Sequence, residues 1–131
     1  MRFYEFEAKQ ILRKFGVPIP EGKIAYTAEE AVQIFQSLDQ EVVIKAQVLS
    51  GGRMKAGGVK FANNANEVKK VTEEIMNITI NNQSPIGVIV EPKSPIEQEY
   101  YAAVTWDGVA KKPVVIFSDM GGIDIEEVAE K

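Results

Sequence analysis

The sequence predicts a mixed fold, α/β or α+β, and argues against an all-helical one. Three observations carry this. Stretches with apolar residues at helical spacing alternate with short continuous apolar runs through residues 5–91. Two further strand-like runs, 100–105 and 113–118, follow each other across a short turn. Glycine, proline and asparagine clusters stand between the periodic stretches. Alternating helices and strands, then paired strands, imply helices layered on a sheet.

The elements follow in order. Residues 5–15 read as an amphipathic helix, with Ala8, Ile11, Leu12 and Phe15 on one stripe. Gly16 stops it, and Pro18 and Pro20 make 17–22 an extended crossing. A short strand spans Lys23 to Tyr26. Thr27 with Glu30 forms a capping box for a second helix, 28–38, with Ala31, Ile34, Phe35 and Leu38 buried. The apolar run Val42 to Val48 is a central strand, and Val59 to Ala62 another. Asn64 with Glu67 starts a third helix, with Val68, Val71, Ile75 and Ile78 as its stripe and an end within 76–80. Asn81 to Pro85 is a polar turn. Ile86 to Val90 is a buried strand ending on Glu91. Pro92 and Pro95 stiffen the loop to Glu99, and Trp106-Asp107-Gly108 joins the last two strands as a hairpin. The tail from Gly121 has a glycine turn and the start of a further element.

A chain of 131 residues is one domain or part of one, with 45% hydrophobic and 26% charged residues, the ordinary balance of a globular protein. The net charge of −4 gives no electrostatic basis for general nucleic-acid binding. No apolar run approaches membrane-spanning length, and the N-terminus lacks a signal-peptide core, so a cytoplasmic location is expected. With no cysteine and no histidine, disulfides, thiolate or imidazole metal sites and histidine acid–base chemistry are excluded within these residues. Chemistry here must use Lys, Arg, carboxylates, backbone amides or an oxygen-bound metal.

Against this acidic background, residues 41–60 stand out. Lys45 lies inside an apolar strand, and the strand runs into a loop with four glycines (Gly51, Gly52, Gly57, Gly58) and two cations, Arg53 and Lys55. Glycine lets the backbone approach a ligand, and amides with nearby cations can cradle phosphate. The alternative is a hairpin loop with a solvated basic tip. The stretch is neither a Gly-x-x-x-x-Gly-Lys-Ser/Thr loop nor Gly-x-Gly-x-x-Gly. Lys45 either meets an anion or snorkels to solvent. Arg53 and Lys55 are phosphate donors or solvated loop charges. Glu91 at a strand end suits the hydroxyls of a ribose or the amino group of a base, or is a strand-end solvent residue; Glu99, beyond the proline loop, is a second ligand candidate or the partner of a nearby lysine.

Several motifs in order resemble one family. They are Glu5-Phe6-Glu7-Ala8-Lys9-Gln10, Phe15-Gly16-Val17-Pro18-Ile19-Pro20-Glu21-Gly22, Val43-Ile44-Lys45-Ala46-Gln47-Val48, Gly51-Gly52-Arg53-Met54-Lys55-Ala56-Gly57-Gly58-Val59-Lys60, Val90-Glu91, Glu99-Tyr100, and the tail Gly121-Gly122-Ile123-Asp124-Ile125-Glu126-Glu127-Val128-Ala129. Together they resemble the N-terminal part of the β subunit of succinyl-CoA synthetase (succinate–CoA ligase, ADP-forming), which has an ATP-grasp fold.

The resemblance implies a small nucleotide-binding lobe over about 21–100, with 1–20 and 101–131 belonging to an incomplete large lobe. It implies that Lys45 contacts nucleotide phosphates, that Gly52, Arg53 and Met54 lie over them, that Glu91 and Ser94 sit at the adenine end, and that Glu99 closes the site. It implies ATP or GTP with Mg²⁺, and CoA in the full-length enzyme. It also implies a partner α subunit carrying a phosphohistidine. The Mg²⁺ ligands and the CoA-ligase domain are expected beyond Lys131, so the chain is expected to be an inactive segment of a longer enzyme. A malate–CoA ligase or the large subunit of a citryl-CoA synthetase would read alike here, and a non-catalytic nucleotide-binding or assembly module is the rival of another class. Met54 departs from the family's usual glycine. If that position needs φ > 0, methionine is strained there.

Overall fold

Local sequence signals place the elements, and the computed structural model describes residues 1–121 of them. The expected further element in the tail therefore lies outside the described residues, Gly121 excepted. Contacts divide the chain into two units, Met1–Ser94 and a second one from Pro95 onward.

The first unit opens with α1 (Glu5–Lys14). Gly16 ends it at φ +79°, with Gly16 N–H donating to the Arg13 carbonyl and Val17 N–H to that of Leu12. This is the paired closure that glycine permits after a helix. Then come β1 (Lys23–Ala25), α2 (Ala28–Leu38), β2 (Val42–Ala46), β3 (Val59–Ala62), α3 (Ala65–Met76) and β4 (Val88–Pro92). The expected caps form: Thr27 Oγ1 accepts from Glu30 N–H at 3.1 Å and Asn64 Oδ1 from Glu67 N–H at 2.9 Å.

The four strands make one antiparallel sheet in the order β1-β4-β2-β3. The two-residue period divides its side chains between two faces. Val42, Ile44 and Ala46 of β2, Val88 and Val90 of β4, Ala25 and Ala62 point to one face and pack under α2 and α3 against Ala31, Val68 and Ile75. Full burial of each isoleucine or valine here contributes roughly 1.5–3 kcal/mol. The register places Val43 and Lys45 of β2, Ile89 and Glu91 of β4, and Phe61 of β3 on the other face. That face carries the candidate site.

The strands differ from expectation at their ends. β2 stops at Ala46, but Gln47 still bonds through N–H to Gly87 O and through its carbonyl to Ile86 N–H. β4 begins at Val88 rather than Ile86 and runs one residue past Glu91.

In the second unit, β5 (Tyr101–Asp107) pairs antiparallel with β6 (Lys112–Ser118). Trp106 and Asp107 belong to the strand, so the hairpin turn falls later than expected, at 108–111. Asp107 Oδ1 sets that turn by accepting from Val109 and Ala110 N–H, and these bonds lower its pKa. Register places Val104, Trp106, Val115 and Phe117 on one exposed, apolar face of the ribbon.

Candidate functional site

The site grows from Lys45. Its strand position is diagonal to Glu91 on β4, within reach for long side chains. Lys45 Nζ donates to Glu91 Oε1 through a short contact and approaches Glu5 Oε1 at 3.4 Å. Lys9 lies one helical turn from Glu5 on α1. It reaches Glu5 Oε1 at 2.8 Å and Glu91 Oε2 at 2.6 Å. Arg53 from the glycine loop donates to Glu5 Oε2 at 2.6 Å and to the Ala46 carbonyl at 3.1 Å. α1 is tied to the sheet beside this network by Phe6 N–H, which donates to the Oε1 of the buried Gln47 at 3.2 Å.

Three cations and two carboxylates thus share one half-buried cluster with a net charge of +1. Burial is the largest influence on Glu5 and pushes its pKa up. The combined attraction of Lys45, Arg53 and Lys9 outweighs it and holds the carboxyl at about 2. Burial likewise opposes the charge of Lys9, yet its bonds to Glu5 and Glu91 raise its pKa. Glu91 is 3% exposed, a degree of burial at which a carboxylate needs such partners.

The glycine loop is folded on itself. Ala56 N–H donates to Gly52 O, Gly57 N–H to Met54 O and Gly58 N–H to Arg53 O. These three amides are engaged within the loop, which departs from the open amide cradle the sequence suggested. Gly52 and Gly57 adopt φ +74° and +78°. Among the described residues Met54 is not one of the non-glycines with positive φ, so it carries no left-handed strain. Methionine is thus compatible with the backbone there, and its side chain is about half exposed, at 49%. At Gly58 a Cβ would lie 2.7 Å from Ile80 Cδ1 and 3.1 Å from Ala46 Cβ, so a side chain there would displace its neighbours.

The structure brings together Lys45, Arg53 and Glu91, with Gly52 and Met54 on the adjoining loop. Ser94 is exposed at the end of the first unit. Glu99 belongs to the second unit, where its carbonyl accepts from Gly121 N–H at 3.0 Å. Sequence reasoning did not single out Glu5 and Lys9. Their i,i+4 spacing on a helix was visible, but nothing local says which face meets the sheet.

Two clefts border the cluster. One, of about 330 Å³, lies between α1, the 17–22 crossing and the β1–β4 edge, with Phe6, Lys9, Ile24, Ile89 and Glu91 among its walls. The other, shallow and about 540 Å³, is bordered by Arg2, Glu5, Ser50, Gly51 and Arg53. No helix among the described residues is long and apolar enough to cross a membrane.

An antiparallel sheet covered by two helices on one face, with a cationic glycine loop at the other, defines a mixed α+β lobe suited to an anionic ligand. The chain belongs to the ATP-grasp family: the family model described as "ATP-grasp domain" matches residues 2–131. It is 48% identical over 131 residues to the succinate–CoA ligase [ADP-forming] subunit beta of Methanocaldococcus jannaschii, covering 100% of this chain and 35% of that one. It is 45% identical over 129 residues to the [GDP-forming] subunit beta of Thermus thermophilus, covering 98% of this chain and 34% of that one. A solved dinucleotide-forming acetyl-coenzyme A synthetase of Ca. Korarchaeum cryptofilum, in complex with coenzyme A and Ca-AMPCP, matches with TM-score 0.74 and 27% identity, over 92% of this chain and 54% of that one. The chain spans about a third of the length of the curated relatives it matches.

Proposed function

We propose that this chain is the nucleotide-gripping segment of an acid–CoA ligase β subunit. In full length the enzyme joins succinate to CoA at the expense of ATP or GTP, giving succinyl-CoA, the nucleoside diphosphate and phosphate. The observation that carries the reading is the meeting of Lys45 and Arg53 beside a glycine loop on the open face of the sheet. Both cations are chemically suited to phosphate oxygens, Arg53 through its fork and Lys45 as a point charge. Positioning and charge stabilisation are the main contributions a protein makes to phosphoryl transfer.

In this reading Lys45 and Arg53 hold the phosphates, with Gly52 and Met54 lining the loop above them. The base end lies toward Glu91 and Ser94. Each Glu91 oxygen accepts from a lysine and keeps a second lone pair for a ligand hydroxyl or amino group. Glu99 keeps the role the resemblance gives it, that of closing the nucleotide site. Among the described residues no group of three or more acidic side chains stands ready for a metal. The Mg²⁺ ligands and the CoA-ligase part are assigned to the rest of the full-length protein. The partner is an α subunit that carries the phosphohistidine, and the setting is cytoplasmic. By the resemblance the small lobe spans about 21–100, with 1–20 and 101–131 belonging to the large lobe.

The test is calorimetry of the full-length protein with Mg·ATP and Mg·ADP, repeated with Lys45→Ala. Micromolar binding that weakens at least tenfold in the variant supports the reading. No binding by the unsubstituted protein, or equal binding by the variant, refutes it. Turnover with succinate, malate and citrate in the presence of the α subunit then assigns the acid.

A further inference from the structure

Arg53 and Lys45, the two cations suited to phosphate, are both bound to a carboxylate of the protein's own N-terminal helix. Glu5 gives one oxygen to Arg53, at 2.6 Å, and the other to Lys9 and Lys45, at 2.8 and 3.4 Å. A carboxylate with cations on both oxygens offers them the same kind of charged acceptor as a pair of phosphate oxygens. Glu5 and Arg53 are reached from the shallow cleft, which they border together with Arg2 and Ser50. The Ser50 hydroxyl is buried and has no hydrogen-bond partner. It stands among the same residues as a donor that no protein acceptor satisfies.

We propose that Glu5 is an internal anion occupying the phosphate position of this site, and that a phosphorylated ligand binds by taking Arg53 and Lys45 from it. The inference rests on the nucleotide reading above and adds a residue and a step to it. Glu5 sits in the first turn of α1, so its release loosens that turn from the glycine loop. Lys9–Glu91 and Phe6–Gln47 still hold the helix to the sheet. The exchange keeps the cations paired throughout. It also sets affinity, because every phosphate must displace a carboxylate before it gains its own bonds.

The experiment uses the full-length protein and two probes, Mg·ADP and inorganic tripolyphosphate, with adenosine as the phosphate-free control. Glu5→Gln removes the competing charge. Affinity for both phosphate probes is expected to rise at least tenfold, since the effect of one unit charge about 4 Å away runs from about fivefold in bulk water to about a thousandfold near a protein surface. Adenosine binding stays the same. A second measurement needs no substitution: in the unsubstituted protein, tripolyphosphate should speed amide exchange in the first turn of α1. If Glu5→Gln weakens or leaves unchanged the affinity for both phosphate probes, or if tripolyphosphate slows α1 exchange, Glu5 is a scaffold and the proposal fails while the nucleotide reading stands. If the unsubstituted protein binds neither probe, both fail.

Discussion

Glu5→Gln also removes the charge that Lys9, Lys45 and Arg53 share, and the cost can be worked from the structure. The Glu5 carboxyl falls from an ordinary 4.5 to about 2 on folding. At about 1.4 kcal/mol per pKa unit, this corresponds to about 3 kcal/mol of stability. The sign follows from proton binding. Between pH 5 and 2 the unfolded chain protonates Glu5 while the folded chain does not. The contribution is therefore complete above the unfolded value and is lost as pH falls toward 2. Lys9, whose pKa is raised, stays charged across this window. The stability gap between the unsubstituted chain and Glu5→Gln should be about 3 kcal/mol near pH 7 and close to nothing near pH 2. Urea unfolding at a series of pH values measures it. The one tryptophan, Trp106, lies in the second unit, so fluorescence would report the wrong part. Far-UV circular dichroism is the right probe, since α1, α2 and α3 all lie in the first unit. A gap that stays constant from pH 7 to 2 would refute the coupling of Glu5 to the three cations.

Thr72, buried in α3, has a hydroxyl without a hydrogen-bond partner, so Thr72→Val should stabilise the chain by about 1 kcal/mol in the same urea assay. Gly22 lies against Glu91, and a Cβ there would come within 2.6 Å of Glu91 Cβ. Gly22→Ala should cost about 1–3 kcal/mol of stability and weaken nucleotide affinity by shifting Glu91 from its lysines, read by calorimetry on the full-length protein. Met54→Gly should leave nucleotide affinity unchanged, because the backbone at Met54 does not need positive φ. A large gain in affinity on that substitution would show that the methionine side chain obstructs the loop.

Much of the fold was legible in the sequence because its signals are local. Thr27 and Asn64 announce their helices through caps that form as expected, and Gly16 and Pro18 end α1 by backbone sterics. The strands were found as apolar runs; β3 has the expected bounds, and the ends of the others differ by one or two residues. Ile86 and Gln47 are as apolar or buried as strand residues, and only the pairing partner decides where a ladder stops. The Trp106-Asp107-Gly108 turn shifted for a similar reason: Asp107 pairs with Lys112 and then caps the turn that follows. Lys45, Arg53 and Glu91 were recognisable as candidates because a lysine in an apolar strand and a basic glycine loop are chemically unusual.

By itself, then, the sequence determined the elements and named the residues able to hold an anion. Periodicity, caps and the intolerance of an apolar strand for an unpaired charge all act within a few residues. Only the tertiary structure decided the strand order β1-β4-β2-β3, which sets Glu91 beside Lys45 from 46 residues away. It also decided that α1 lies over the open face, so that Glu5 reaches Arg53 across a separation of 48 residues. An ion pair of this kind depends on which helix face meets which strand face. That is settled by the packing of the whole core, and no local pattern encodes it.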